Sequence, residues 1–215
     1  MIKVTINGEV KLYNEGIPLE QIVNEYQPRY DHLIVLVTIN GKIRELHKTL
    51  TTDCELAFIT RSDRIGHKTY VRSAIMLLMT AIHNLYGHQS AEKVKVSFTI
   101  GHGYYCAVGS ELALTDEKVT AIKAEMRALV ERNLTIAKQS YPIAEAMELF
   151  RRNQMEEKEK LFRYRRGSSV NIYCLDGYND YYYGFMVPST GYLHAFELLF
   201  YQNGMMLLLP EADQP

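Results

Sequence analysis

Tryptophan is absent from this sequence, and cysteine is scarce: Cys54, Cys106 and Cys174 are the only three in 215 residues. Their odd number and wide spacing exclude a CxxC or Cys/His structural zinc site. The expectation is reduced thiols in a cytoplasmic protein, behaving as small core hydrophobes. Long apolar runs are missing too. Stretches such as Ile75 to Met79 fall far short of the ~20 residues a membrane-crossing helix needs. The start, Met1-Ile2-Lys3-Val4-Thr5, lacks the apolar core of a secretion signal. An excess of one charge is also lacking, the formal net charge being −1, so any nucleic-acid contact must rest on a local patch. No GxxxxGK[ST], HExxH, GxSxG or GxGxxG string occurs, which removes the common phosphate-loop, zinc-protease and nucleophile-elbow chemistries. No catalytic residue and no metal site are expected.

What is present reads as two α+β units. In the first, Ile2 to Ile6 and Glu9 to Tyr13 flank Asn7-Gly8 as a hairpin. Pro18 opens a helix with Leu19, Ile22 and Val23 at i, i+3, i+4. His32 to Ile39 is a β-branched run ending at Asn40-Gly41, and Cys54 to Thr60 closes the unit. This is the element order of a small β-grasp domain over residues 1–62. The second unit, 63–215, begins near Ser62-Asp63 with a helix from Thr69 to Tyr86. An alternating strand Val94 to Ile100 turns at Gly101-His102-Gly103. Thr115 caps a long helix, and Pro142 opens another reaching about Asn153. Leu134 to Lys138, Val170 to Cys174, Tyr181 to Met186, Ala195 to Phe200 and Met205 to Leu209 read as strands, and Met155 to Arg166 as a charged helix or loop.

Four segments carry candidate chemistry. His83 and His88 stand five apart across Gly87, poor geometry for a shared metal. His102 lies between two glycines, where backbone amides approach a ligand closely or simply make a turn. Arg151 to Arg166 holds seven basic and three acidic residues. Arg163, Arg165 and Arg166 around Tyr164 suit a phosphate backbone and a stacked base, while the interleaved glutamates equally suit a solvated helix. Asp180 to Tyr192 packs four of the sixteen tyrosines before and after Pro188-Ser189-Thr190-Gly191. It reads either as a pocket wall with hydroxyls or as a sheet face packed on a helix.

Residues 1 to about 61 resemble a TGS domain, the β-grasp module that starts threonyl-tRNA synthetases. The carrying residues are Ile6-Asn7-Gly8, Val37 to Gly41 and Asp53 to Thr60. His67 to Pro210 resembles the editing domain that follows in those enzymes, an α/β sandwich. The shared features are the helix Ser73 to His88, the hairpin Ile100 to Tyr105, the helix after Leu114-Thr115-Asp116-Glu117, and Tyr178 to Pro188. The family's HxxxH and CxxxH pairs align with Arg72 and Met76, and with Tyr182 and Met186. Arg, Met and Tyr do not supply the donors zinc requires. The pairing of a TGS domain with a degenerate editing-like domain also resembles the start of bacterial uridine kinase-like nucleoside kinases, on Tyr70 to Ser73, Tyr181 to Gly184, Val187 to Leu193 and Gly204 to Pro210. That resemblance implies a non-catalytic ligand- or RNA-binding module, with ATP and magnesium belonging to a kinase domain beyond residue 215 and no cofactor in this chain. The implied ligand set is Arg72, Ser73, Met76, His102, Tyr182, Met186, Ser189 and Thr190, with Arg72 gripping an anion in the old substrate cleft. The implied partners are a nucleotide or tRNA; no membrane contact is expected, and self-association is a third role. A threonyl-tRNA synthetase-type tRNA-binding or deacylating domain is the alternative.

Overall fold

The computed structural model describes residues 1–101, 103–153, 155–163 and 167–211. The expected His102 and the Arg165–Arg166 part of the basic patch therefore lie outside the described residues. The chain is α+β, with several separate sheets.

Strands β1 (Ile2–Ile6) and β2 (Glu9–Tyr13) pair antiparallel across Asn7-Gly8. After the short β3 (Ile17–Pro18), helix α1 (Leu19–Tyr26) buries Leu19, Ile22, Val23 and Tyr26. Then follow β4 (Ile34–Ile39), β5 (Lys42–Arg44), β6 (Thr49–Leu50) and β7 (Cys54–Thr60). The five-stranded sheet runs β2-β1-β7-β4-β5, with β1 parallel to β7 and the rest antiparallel. Strand β4 is apolar on both faces because both are covered. Ile34 and Val37 join the core under α1, while Val35 and Leu36 join a larger core built on the next helix.

That helix, α2 (Arg64–Tyr86), begins five residues earlier than its apolar spacing suggests. The reason is a close approach. A Cβ on Gly66 would stand 1.9 Å from the Thr60 carbonyl oxygen, so glycine lets the first turn run against the end of β7. Asp63 Oδ2 fixes the junction by accepting from Thr60 N at 2.7 Å and Thr60 Oγ1 at 2.9 Å. Helix α3 (His88–Glu92) follows the break at Gly87. Strands β8 (Lys95–Ile100) and β9 (Gly103–Ala107), helix α4 (Asp116–Glu131), strand β10 (Ala137–Pro142), and helices α5 (Ile143–Arg152) and α6 (Glu156–Arg163) come next. Strands β11 (Ser169–Leu175), β12 (Tyr178–Asp180), β13 (Glu197–Tyr201) and β14 (Gly204–Leu208) complete the order. They form two antiparallel sheets, β10-β11-β12 and β13-β14-β9-β8.

Three expectations need correction. The alternation of Val94 to Ile100 suggests a half-buried strand, yet β8 is a sheet edge with all six residues exposed. Leu134 to Ile136 does not lead the next strand. Its amides go to the Pro188–Thr190 segment instead, Leu134 N to Thr190 Oγ1 at 2.8 Å and Ile136 N to the Pro188 carbonyl at 2.9 Å. Tyr181 to Met186 is not a strand, since β12 stops at Asp180. Side chains, described below, take up the backbone groups a neighbouring strand would have taken. The three cysteines are free thiols. Cys54 and Cys106 are buried, burial pushing the Cys106 thiol up to about 12, and Cys174 is half-buried.

Candidate functional site

Arg72 and Ser73 lie on α2 beside the irregular segment Tyr181–Met186. Arg72 Nη1 donates to the Phe185 carbonyl at 2.7 Å. Ser73 Oγ donates to Thr69 O at 2.8 Å and accepts from Val187 N at 3.0 Å. Gly184 sits at φ +128°, and a Cβ there would stand 2.5 Å from Arg72 Cζ, so the guanidinium lies directly on this glycine. Burial pulls the Arg72 guanidinium below its ordinary value, while Tyr173 and Glu45 act in the other direction.

The carboxylate facing this segment is the chain's own. Glu45 follows β5 at the edge of the first sheet, and only 4% of it is exposed. Its Oε1 accepts from the Tyr173 hydroxyl at 2.6 Å and from Met186 N at 3.0 Å, and its Oε2 from Lys138 Nζ at 2.7 Å. Lys138 and Tyr173 are cross-strand partners on β10 and β11, so the sheet presents ammonium and phenol side by side. The Tyr173 hydroxyl is also 2.8 Å from the Gly184 carbonyl. It has one proton, and the charged carboxylate is the stronger acceptor. Burial first, then this bond, raises the Tyr173 phenol above its ordinary range.

A separate cleft of about 970 Å³ opens beyond this cluster, between α3, α6 and β12, with Ile75 and Met79 of α2 at its base. At its wall Lys158 Nζ stands 2.5 Å from Asp180 Oδ1 and 3.1 Å from Glu92 Oε1. Asp180 also accepts from the Tyr178 hydroxyl at 3.2 Å and from Tyr181 N at 2.6 Å. The His83 and His88 rings lie 5.5 and 5.6 Å from the Tyr178 ring. Three buried polar atoms here, His83 Nδ1, His88 Nε2 and the Tyr182 hydroxyl, have no hydrogen-bond partner among the described residues. Burial, then the Asp180 carboxylate, pushes the Tyr182 phenol well above its ordinary range. Burial also lowers His88, against the opposing pull of Glu92.

Of the described candidate residues, only Tyr182 lines this cleft. Met76 is wholly buried in the large core. Met186 is buried with its sulfur 3.4 Å from Ser73 Oγ. Thr190 Oγ1 donates to Leu129 O at 2.6 Å and so pins the end of α4, while Ser189 pairs through its backbone with Thr135 in the loop that follows. Arg163 is exposed, 3.8 Å from Glu159 on its own helix. A smaller pocket of about 190 Å³ lies between His67, Thr99, Gly101, Tyr104 and Glu211. Arg72, Met76, Tyr182 and Met186, the four positions that the resemblance sets against metal pairs, do not suit zinc: a guanidinium bound to a carbonyl, a core methionine, a phenol held protonated, and a thioether against a serine. Among the described residues no three His, Cys, Asp or Glu side chains gather as a metal set.

Sequence reasoning missed Glu45, Lys138, Tyr173, Glu92 and Lys158. Their one shared signal is long-range pairing, which no local pattern carries. Asp180 was read only as the start of a tyrosine-rich string.

No family model matches the chain. Curated relatives do. The threonine–tRNA ligase of Porphyromonas gingivalis is 27% identical over 202 residues, 93% of this chain and 30% of that protein. Those of Thermotoga maritima and Geobacillus kaustophilus are each 30% identical, over 200 and 201 residues, covering 92% and 93% of this chain and 30% of each ligase. The chain thus spans about 30% of the length of the ligases it is similar to.

Proposed function

We propose that this chain is a tRNA-binding region related to the amino-terminal part of threonyl-tRNA synthetases. It combines a β-grasp unit over residues 1–62 with an editing-like unit over 63–215. Its cleft takes the 3′ end of a tRNA and leaves the aminoacyl bond intact. The observation that carries this reading is the cleft itself, in a chain similar to these ligases over nearly its whole length. Lys93, Lys95, Lys158 and Lys160 line it and suit a phosphate backbone. Tyr178 and Tyr182 line it too and suit a stacked base. Glu92 suits a ribose hydroxyl. Binding without hydrolysis is favoured because Asp180 already accepts from three donors and so is poorly placed to take a proton from water. The metal pairs, in turn, are replaced by residues that do not hold zinc. The relatives named are ligases rather than nucleoside kinases, so this reading is preferred to attachment to a kinase.

The test is fluorescence anisotropy with a 3′-labelled tRNA, alongside release of amino acid from a charged tRNA. The wild type binds, more weakly as salt rises. Lys158→Met weakens binding about tenfold, the size of one charged hydrogen bond. Release runs no faster than in buffer. Absence of binding, or multiple-turnover release, overturns the proposal.

A further inference from the structure

The first sheet sends one carboxylate into the rest of the molecule, and what receives it is built like a ligand seat. Three donors of different kinds converge on the two oxygens of Glu45: the Lys138 ammonium at 2.7 Å, the Tyr173 phenol at 2.6 Å and the Met186 backbone amide at 3.0 Å. All three come from residues 138–186, and none from the sheet that supplies the carboxylate. Lys138 is held by the rings of Tyr173 and Phe185, its Nζ 5.3 and 6.0 Å from their centroids. The Met186 amide is aimed by its neighbours. Arg72 holds the Phe185 carbonyl, and Ser73 holds the Val187 amide. The donors are therefore fixed by contacts that do not involve Glu45, so the seat persists when the carboxylate leaves. The Arg72 guanidinium adds positive charge without spending its hydrogen bond on Glu45.

We propose that this cluster is a binding seat for a carboxylate, occupied in cis by Glu45, and that a free carboxylate competes with Glu45 for it. Glu45 then behaves as a tethered ligand that fills the seat. The effective concentration of a tethered group reaches the millimolar range or above, so a free carboxylate reads out only once Glu45 is shortened. The seat is distinct from the cleft, whose lining includes none of Lys138, Tyr173 or Met186, so this proposal does not rest on the tRNA reading.

The test is chemical rescue of Glu45→Ala. Thermal unfolding of the wild type, Glu45→Ala, Glu45→Gln and Glu45→Ala/Lys138→Met is followed in rising sodium acetate, with sodium chloride at equal ionic strength as control. Glu45→Ala is expected to unfold at lower temperature and to regain part of the loss saturably in acetate and not in chloride. The wild type and Glu45→Gln, whose seats are filled, are expected not to distinguish the salts, and the double variant not to be rescued. Should Glu45→Ala precipitate, its soluble yield on refolding in acetate against chloride is the readout, with acetate expected to give more. Equal effects of the two salts on Glu45→Ala, or an acetate effect as large in the wild type or the double variant, overturn the proposal.

Discussion

Two polar clusters lie on either side of the Tyr181–Met186 segment, and they differ in completeness. Around Glu45, donors and acceptors match: carboxylate, ammonium, phenol, serine hydroxyl and backbone amides all have partners. Around Asp180, two carboxylates share one lysine, and three buried polar atoms nearby have no partner among the described residues. A satisfied buried network stabilises and specifies one arrangement, whereas an unsatisfied one is costly and is kept at sites that meet something else. The contrast teaches that Arg72, Ser73 and Met186 belong to a closed, structural network, while the unpartnered Tyr182 hydroxyl lies at the cleft.

Breaking the satisfied side should cost most. Gly184→Ala places a side chain at φ +128° and against the Arg72 guanidinium; the expected loss is about 3 kcal/mol, from backbone strain plus the displaced Arg72 bond. In an Arg72→Ala background the clash is gone and the strain remains, so chemical denaturation should show a smaller loss there. An equal loss would mean that the guanidinium does not lie on the glycine. Ser73→Ala leaves the buried Val187 N–H without its acceptor, and about 2 kcal/mol is expected from the same measurement. On the unsatisfied side the sign should reverse. Tyr182→Phe removes a buried hydroxyl that has no partner, so stability should rise by about 1 kcal/mol while tRNA affinity falls. A destabilised variant would show that the hydroxyl is already satisfied.

The smallest effect is in pH. Burial holds His47, His67 and His88 below the usual imidazole range. In the unfolded chain each titrates near ~6.5. Below that value the unfolded chain binds more protons than the folded one, so stability is complete above it and is lost as pH falls toward the folded values. Unfolding midpoints should therefore drop between pH 7.5 and 5.5. His88→Asn should flatten the slope, and an unchanged slope would remove His88 from this account.

Much of the fold was legible because its signals are local. Asn7-Gly8 and Asn40-Gly41 set two turns, Thr115 caps α4 by accepting from Lys118 N, and Gly87 ends α2. The failures share a cause. Tyr181 to Met186 is aromatic-rich like a strand, but its Phe185 carbonyl and Met186 amide are claimed by Arg72 and Glu45, at separations of 113 and 141 residues. Ser189 and Thr190 looked like pocket hydroxyls because a turn displays them; instead Thr190 binds the end of α4 and Ser189 pairs with the loop after it. Arg72 drew notice as an expected anion ligand, and the structure sets its guanidinium on the Phe185 carbonyl instead. The role of Glu45 was not legible, because nothing around Ile43 to Leu46 announces a partner 128 residues away.

That separation also has a meaning in time. The first sheet needs no residue beyond Thr60 to pair its strands. Tyr173 and Met186 follow Glu45 by 128 and 141 residues, which at typical synthesis rates is roughly ten seconds or more. During that interval two of the three donors to its carboxylate have not yet been made.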